Sequence, residues 1–163
     1  MSWYALKVRC GGEVNIMKAL ELRGYLPYCP MQRQRRRYSD RMKIVSVPVF
    51  PGYLFCQFDV QRKLPILSTP GVDYILGATG PTAIRESEVE SIHRMVEAGA
   101  QAEPNFVQGQ RVIVVHGALE GIEGVLVRDE QGGGKLVVSI TLLNQSASLR
   151  IDRDAICLSE LKA

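Results

Sequence analysis

The stretch Val49-Phe50-Pro51-Gly52-Tyr53-Leu54-Phe55 decides the fold. Pro51-Gly52 interrupts two extended runs, residues 43–49 and 53–59, because proline fixes φ and glycine supplies the freedom a turn needs. In the second run, alternation sets Tyr53, Phe55 and Gln57 on one face and Leu54, Cys56 and Phe58 on the other. Two apolar faces on one short strand leave two readings open. Either the strand is central and covered on both sides, or one aromatic set is a docking surface.

Immediately upstream, residues 33–43 hold six bases and one acid. Like charges packed that densely repel and resist burial, so this segment reads as an exposed loop or hairpin tip. Residues 3–9 read as a strand ended by Gly11-Gly12. Residues 13–23 carry Val14, Met17, Ala19, Leu20 and Leu22 near helical spacing, with Gly24 where a C-terminal cap belongs. Residues 25–31 look extended, and Pro27 and Pro30 confine them to a sheet edge. Downstream, residues 60–68 suggest a short helix and 72–76 a short strand. Ser87-Glu88-Val89-Glu90 reads as a capping box that opens a helix bearing Val89, Ile92, Met95 and Val96, stopped at Gly99. The order is that of an α+β layout.

Residues 98–108 are small and polar, like a linker. Beyond them the pattern changes. Five β-type runs begin at Arg111, Gly124, Lys135, Ala147 and Ala155, punctuated by Gly117, Gly121 and Gly132-Gly133-Gly134. Five strands in about 55 residues suit a small closed barrel, which leaves no open sheet edge.

The 163 residues are 46% hydrophobic and 23% charged, enough for folded cores. Residues 1–96 hold 14 Lys+Arg against 8 Asp+Glu, a net of +6, and residues 97–163 hold 6 against 9, a net of −3. Opposite signs imply two modules with different partners, and only the basic one suits nucleic acid. No apolar run approaches the roughly 20 residues of a membrane helix, and Met1-Ser2-Trp3-Tyr4 lacks a signal-peptide layout. A cytoplasmic protein is expected. Cys10, Cys29, Cys56 and Cys157 form no C-x-x-C pair, and His93 and His116 are distant from them. Reduced, buried thiols are therefore expected and no metal site.

Trp3-Tyr4, Phe50-Pro51-Gly52-Tyr53-Leu54-Phe55 and Thr69-Pro70-Gly71-Val72 resemble, in that order, the NusG family of transcription elongation factors. Gly109-Gln110-Arg111-Val112, followed by Gly117-Ala118-Leu119-Glu120-Gly121-Ile122-Glu123-Gly124-Val125, is similar to the family's KOW motif. The resemblance covers nearly the whole chain. It implies an antiparallel sheet with flanking helices at 1–97, a linker at 98–108, and an SH3-like β-barrel at 109–163. It also implies a monomer without cofactor that rides on RNA polymerase, docking on the clamp helices of the largest subunit. Tyr4, Phe50, Pro51, Tyr53 and Phe55 match the docking patch. Arg9, Arg23, Arg33, Arg35, Arg36, Arg37 and Arg41 would face DNA near the transcription bubble. Leu119 and Ile122 sit in the KOW loop that contacts a ribosomal protein or a termination factor; the alternative is that they plug the barrel end.

Length and compact linker resemble the specialised antitermination paralogues, RfaH among them, more than the housekeeping factor. RfaH's DNA-reading residues do not carry over, since Ala19 and Leu22 stand at their positions. In RfaH the second domain can become a helical hairpin. Here residues 135–141 are rich in β-branched side chains and Val47 cannot join the ion pair that holds RfaH's domains together, so a barrel is expected throughout. A KOW-containing RNA-binding module of ribosomal type is the competing reading, disfavoured by the acidic second half. No nucleophile, base and orienting acid fall into a recognisable pattern around His93 or His116, and Gly132-Gly133-Gly134-Lys135 lacks the frame of a phosphate loop. An enzyme is not expected.

Overall fold

The computed structural model describes residues 1–103, 109–128, 134–140, 143, 145–151 and 156–158. Two units are present, Met1–Val89 and Glu90–Ala163. In the first, β1 (Ser2–Val8) leads into α1 (Glu13–Leu22), followed by β2 (Leu26–Tyr28), β3 (Met31–Arg37), β4 (Met42–Pro48) and β5 (Tyr53–Phe58). A 3-10 turn (Val60–Arg62), α2 (Leu64–Leu67) and β6 (Val72–Ile75) come next, and α3 (Glu86–Glu97) begins in the first unit and continues into the second. An antiparallel sheet runs in the order β2-β5-β1-β6, and β3 and β4 form a separate two-stranded ribbon.

Alternation along β1 and β5 is read out as expected on one face. Tyr4, Leu6, Val8, Leu54, Cys56 and Phe58 form a core with Ile16 and Leu20 of α1 and Ile66 of α2. Each such side chain removed from water contributes about 1.5–3 kcal/mol, which fixes β5 as a central strand. Gly24, at φ +88°, ends α1 as expected. The capping box at Ser87 does not form. Ile84 bridges to Trp3, and α3 already begins at Glu86, with Arg85 O accepting from Glu88 N and Val89 N. Ser87 therefore lies inside the first turn.

The Pro51-Gly52 turn is held by a buried carboxylate. Glu13, 3% exposed, accepts from Gly52 N at 2.9 Å and from Gly11 N at 3.0 Å. Val8 N donates to Gly52 O at 2.8 Å. Gly52 has φ +83°, and a Cβ there would lie 2.5 Å from Lys7 Nζ and 3.1 Å from Cys10 Sγ. Only glycine fits.

In the second unit, β7 (Gln101–Glu103), β8 (Gln110–Val114), β9 (Glu123–Arg128), β10 (Gly134–Ile140), β11 (Gln145–Ile151) and β12 (Ile156–Leu158) form one antiparallel sheet, ordered β12-β8-β9-β10-β11-β7. β8 to β12 occupy the five expected runs, and β10 includes the segment 135–140. β7 falls within the stretch expected as linker; its pairing with Ser146–Ser148 of β11 is a long-range event that local composition does not encode. Gly124 permits close strand approach, since a Cβ would meet Val137 O at 2.7 Å. The rest of the linker, residues 104–108, and Gly132-Gly133 lie outside the described residues. Among the described residues no helix is long and apolar enough to cross a membrane.

Cys29 and Cys56 are buried and free, and Cys10 is exposed. Burial pushes both buried thiols up to about 12, with the Glu13 charge adding to the effect at Cys29. The charged form is disfavoured in the fold, so this contribution to stability is complete below the ordinary thiol value of 9.0 and falls as pH rises from there towards about 12. Alkylation of the native protein at pH 8, followed site by site, should modify Cys10 and spare Cys29 and Cys56 until denaturant is added.

Replacing Glu13 by alanine leaves the buried Gly52 N–H without its acceptor. The expected cost is about 2–3 kcal/mol, with the Gly52 amide exchanging hydrogen faster than in the parent protein. Glu13→Gln keeps one acceptor oxygen and should lose less. Unchanged Gly52 exchange in Glu13→Ala would show that the turn holds its shape without the carboxylate.

Candidate functional site

Register assigns the second face of the sheet. Trp3, Ala5 and Lys7 lie opposite Gln57, Phe55 and Tyr53, and on the other side of β5 Leu26 and Tyr28 lie opposite Gln57 and Phe55. Directly opposed residues share a face, so these side chains project away from the α1-covered core. Phe50, delivered by the turn, meets Phe55 edge-on with ring centroids 6.0 Å apart. Tyr28 stacks on Phe55 at 6.4 Å. The Lys7 ammonium stands 5.0 Å from the centre of the Tyr53 ring, within cation–π range.

The expected docking residues divide into layers. Pro51 is exposed, Tyr53 is half-buried, and Phe50 and Phe55 are 1% and 0% exposed. Phe55 is thus not a surface ring: Phe50 and Tyr28 pack against it on the face away from α1. Tyr4 is also displaced from the expected patch. It pairs with Cys56 and packs on Phe58 at 4.8 Å, in the α1-covered core, because the two-residue period of β1 sends it to the face opposite Lys7.

The basic residues separate in the same way. Arg9 is exposed just past β1. Arg23 is exposed too, but its guanidinium donates to Pro65 O at 2.8 Å and to Ser68 Oγ at 3.3 Å, tethering α1 to α2. Arg33, Arg35, Arg36 and Arg37 lie on β3 and Arg41 just before β4, all exposed. Of the expected exposed loop or hairpin tip, the structure shows a hairpin ribbon, with Arg33 opposite Ser46, Arg35 opposite Ile44, Arg36 opposite Lys43 and Arg37 opposite Met42. Among the described residues these arginine side chains make no hydrogen bond or ion pair.

Leu119 and Ile122, between β8 and β9, are 7% and 1% exposed. The turn around them is closed by Gly121 N to Val114 O at 2.8 Å and Val114 N to Ile122 O at 3.0 Å. Arg94 of α3 donates to Ala118 O at 2.8 Å and Glu120 O at 2.7 Å, the carbonyls on either side of Leu119. Both apolar side chains are therefore buried in the fold.

Three residues that matter here escaped the sequence reading: Glu13, Lys7 and Arg94. An acid following Gly11-Gly12 at a helix start was the available signal for Glu13. Lys7 and Arg94 act through partners 46 and 24–26 positions away in the chain, and nothing local marks them.

Residues 1–93 match the family model described as "Transcription termination factor nusG". Among curated relatives, the transcription termination/antitermination protein NusG of Chlamydia pneumoniae is 26% identical over 92% of this chain and 89% of its own. The protein of the same name from Thermus thermophilus is 24% identical over 93% and 95%. A solved structure described as domain interaction in Thermotoga maritima NusG covers 98% of this chain and 97% of its own, with a TM-score of 0.56 and 21% identity. With more than half of its length matched by the family model, and its α+β architecture shared, the chain belongs to the NusG family of transcription factors.

Proposed function

We propose that this protein is a transcription elongation and antitermination factor that binds RNA polymerase through its first unit and promotes processive elongation. The observation that carries the reading is the corner made by Pro51 and Tyr53, rigidly presented by Glu13 above the buried Phe50–Phe55 pair, in a chain of the NusG family. Such an anchor fits an apolar groove between two helices, and the clamp helices of the largest polymerase subunit are the assigned site. Pro51 and Tyr53 make the contact; Phe50 and Phe55 shape it from beneath. Affinity rests on apolar burial at a small preorganised surface, where a few side chains carry most of the energy.

The functional domains are read as 1–97 and 109–163, joined by 98–108. β8 to β12 are read as an SH3-like KOW barrel that recruits a further factor, a ribosomal protein or a termination factor. With Leu119 and Ile122 inside the fold, that contact falls to exposed neighbours such as Glu120 and Glu123. Arg9 and the ribbon arginines are assigned to DNA near the transcription bubble, where positive charge within about 8 Å of a phosphate suffices.

Capture of purified core polymerase on the immobilised protein, after nuclease treatment, tests the reading. The parent chain should retain polymerase, and a Pro51→Ala, Tyr53→Ala double variant should bind it at least about 10-fold more weakly with an unchanged unfolding transition. Phe55→Ala should instead destabilise the fold by about 3–5 kcal/mol. Full capture by the double variant would remove the docking assignment. Capture by the parent that vanishes on nuclease treatment would favour the RNA-binding module.

A further inference from the structure

In the second unit one sheet edge is closed by a strand drawn from the connecting segment. β11 runs from Gln145 to Ile151, and β7 pairs with Ser146, Ala147 and Ser148 of it. Those three residues are 0%, 0% and 3% exposed. From Gln145 to Leu149 β11 carries no charge and no proline. Sheet edges are ordinarily blunted by charge, by proline or by being very short, and this stretch of β11 has none of these devices.

β7 supplies all three. It is three residues long, it ends on Glu103, and Pro104 follows in the sequence with no N–H to donate. Its own side chains hold it weakly: Gln101 is exposed, Ala102 is half-buried, and alanine and glutamate are poor strand formers. Its position is set instead by the end of α3. Gly99, at φ +93°, donates to Val96 O at 3.0 Å, and Ala100 N donates to Met95 O at 2.9 Å. That pair of bonds turns a chain sharply out of a helix. Arg94 fixes the same helix end to the β8–β9 turn through Ala118 O and Glu120 O. Geometry thus aims β7 at β11.

The edge beneath β7 is complementary to itself. Two antiparallel strands related by a two-fold axis pair residue for residue about one centre. About Ala147, the sequence Ser146-Ala147-Ser148 reads the same in both directions. Ala147 would lie opposite its own counterpart, Ser146 opposite Ser148, and Gln145 opposite Leu149. No like charges meet in that register, and no bulky pair stands at its centre.

We infer that β7 is an edge guard, which keeps β11 from pairing with β11 of a second copy of this chain. When the guard lifts, the chain becomes a two-fold dimer through Ser146–Ser148. The inference concerns the second unit and does not depend on polymerase docking.

Size-exclusion chromatography with light scattering on the full chain tests it. Ala102→Pro removes an N–H from β7 and misfits a strand interior. It should associate at least about 10-fold more tightly than a monomeric parent, because the open edge is no longer a rare state. Cross-linking in a Cys10→Ser background reads the register. With Ala102→Pro present, Ala147→Cys should give a disulfide-linked dimer on oxidation by copper phenanthroline, since directly opposed positions lie within disulfide reach. Ser148→Cys should not, because its counterpart is a diagonal neighbour about 7–8 Å away. In the parent, the amides of Ser146–Ser148 should exchange hydrogen faster than those of Leu136 and Val137, which β9 and β11 hold from both sides. A monomeric Ala102→Pro variant would overturn the inference, and so would one that loses the circular dichroism of its strands. Dimers that link equally through positions 147 and 148, or through neither, would overturn it too. Exchange at Ser146–Ser148 as slow as at Leu136 and Val137 would show that the guard does not lift.

Discussion

Glu13 is a charged side chain almost wholly removed from water, and two backbone N–H groups make its burial tolerable. One of them, Gly11 N–H, belongs to the loop that starts α1; the other, Gly52 N–H, belongs to the turn before β5. The carboxylate therefore joins two segments 39 residues apart in the chain. Because Gly52 also bonds back to Val8, the turn is fixed from both sides. Phe50 is thereby placed edge-on to Phe55, and Tyr53 is brought beneath Lys7. Removing the acceptor costs more than its hydrogen bonds contribute in water, since the Gly52 donor it leaves behind is buried.

A layered anchor follows from that geometry. Buried aromatic rings supply stiffness, and the partly exposed Pro51–Tyr53 edge supplies the surface. Partner binding then orders few side chains, which keeps the entropic cost of association low. The ribbon works on different physics. It is a two-stranded ribbon in which Arg36 lies opposite Lys43, a like-charge pair. On the proposed reading, one unit would carry an apolar site independent of salt and a basic site strongly dependent on it.

Fastening by long-range polar contacts recurs. Arg23 tethers α1 to α2 through Pro65 O, and Arg94 holds the carbonyls flanking Leu119. In each case an arginine at a helix satisfies carbonyl groups that no regular element serves. Arg23 adds to the basic total of the first half yet has its guanidinium engaged within the fold.

The sequence by itself determined whatever depends on near neighbours. Alternation over residues 53–58 set both faces of β5, the Gly and Pro positions marked the turns, and the β-branched runs after residue 109 marked β8 to β12. The density of Arg33 to Arg37 guaranteed exposure, because no interior could hold it. What the tertiary structure decided turns on pairing across the chain. Only the packing of Phe50 and Tyr28 shows that Phe55 is buried, and only the register of β1 against β5 shows that Tyr4 lies on the opposite face from Tyr53. Pairing with β11 made a strand of residues 101–103, and register alone put Met42 and Ile44 beside three arginines. Local chemistry fixes which way a side chain points along its own strand; which strand lies next to it depends on the whole fold, and so does the site.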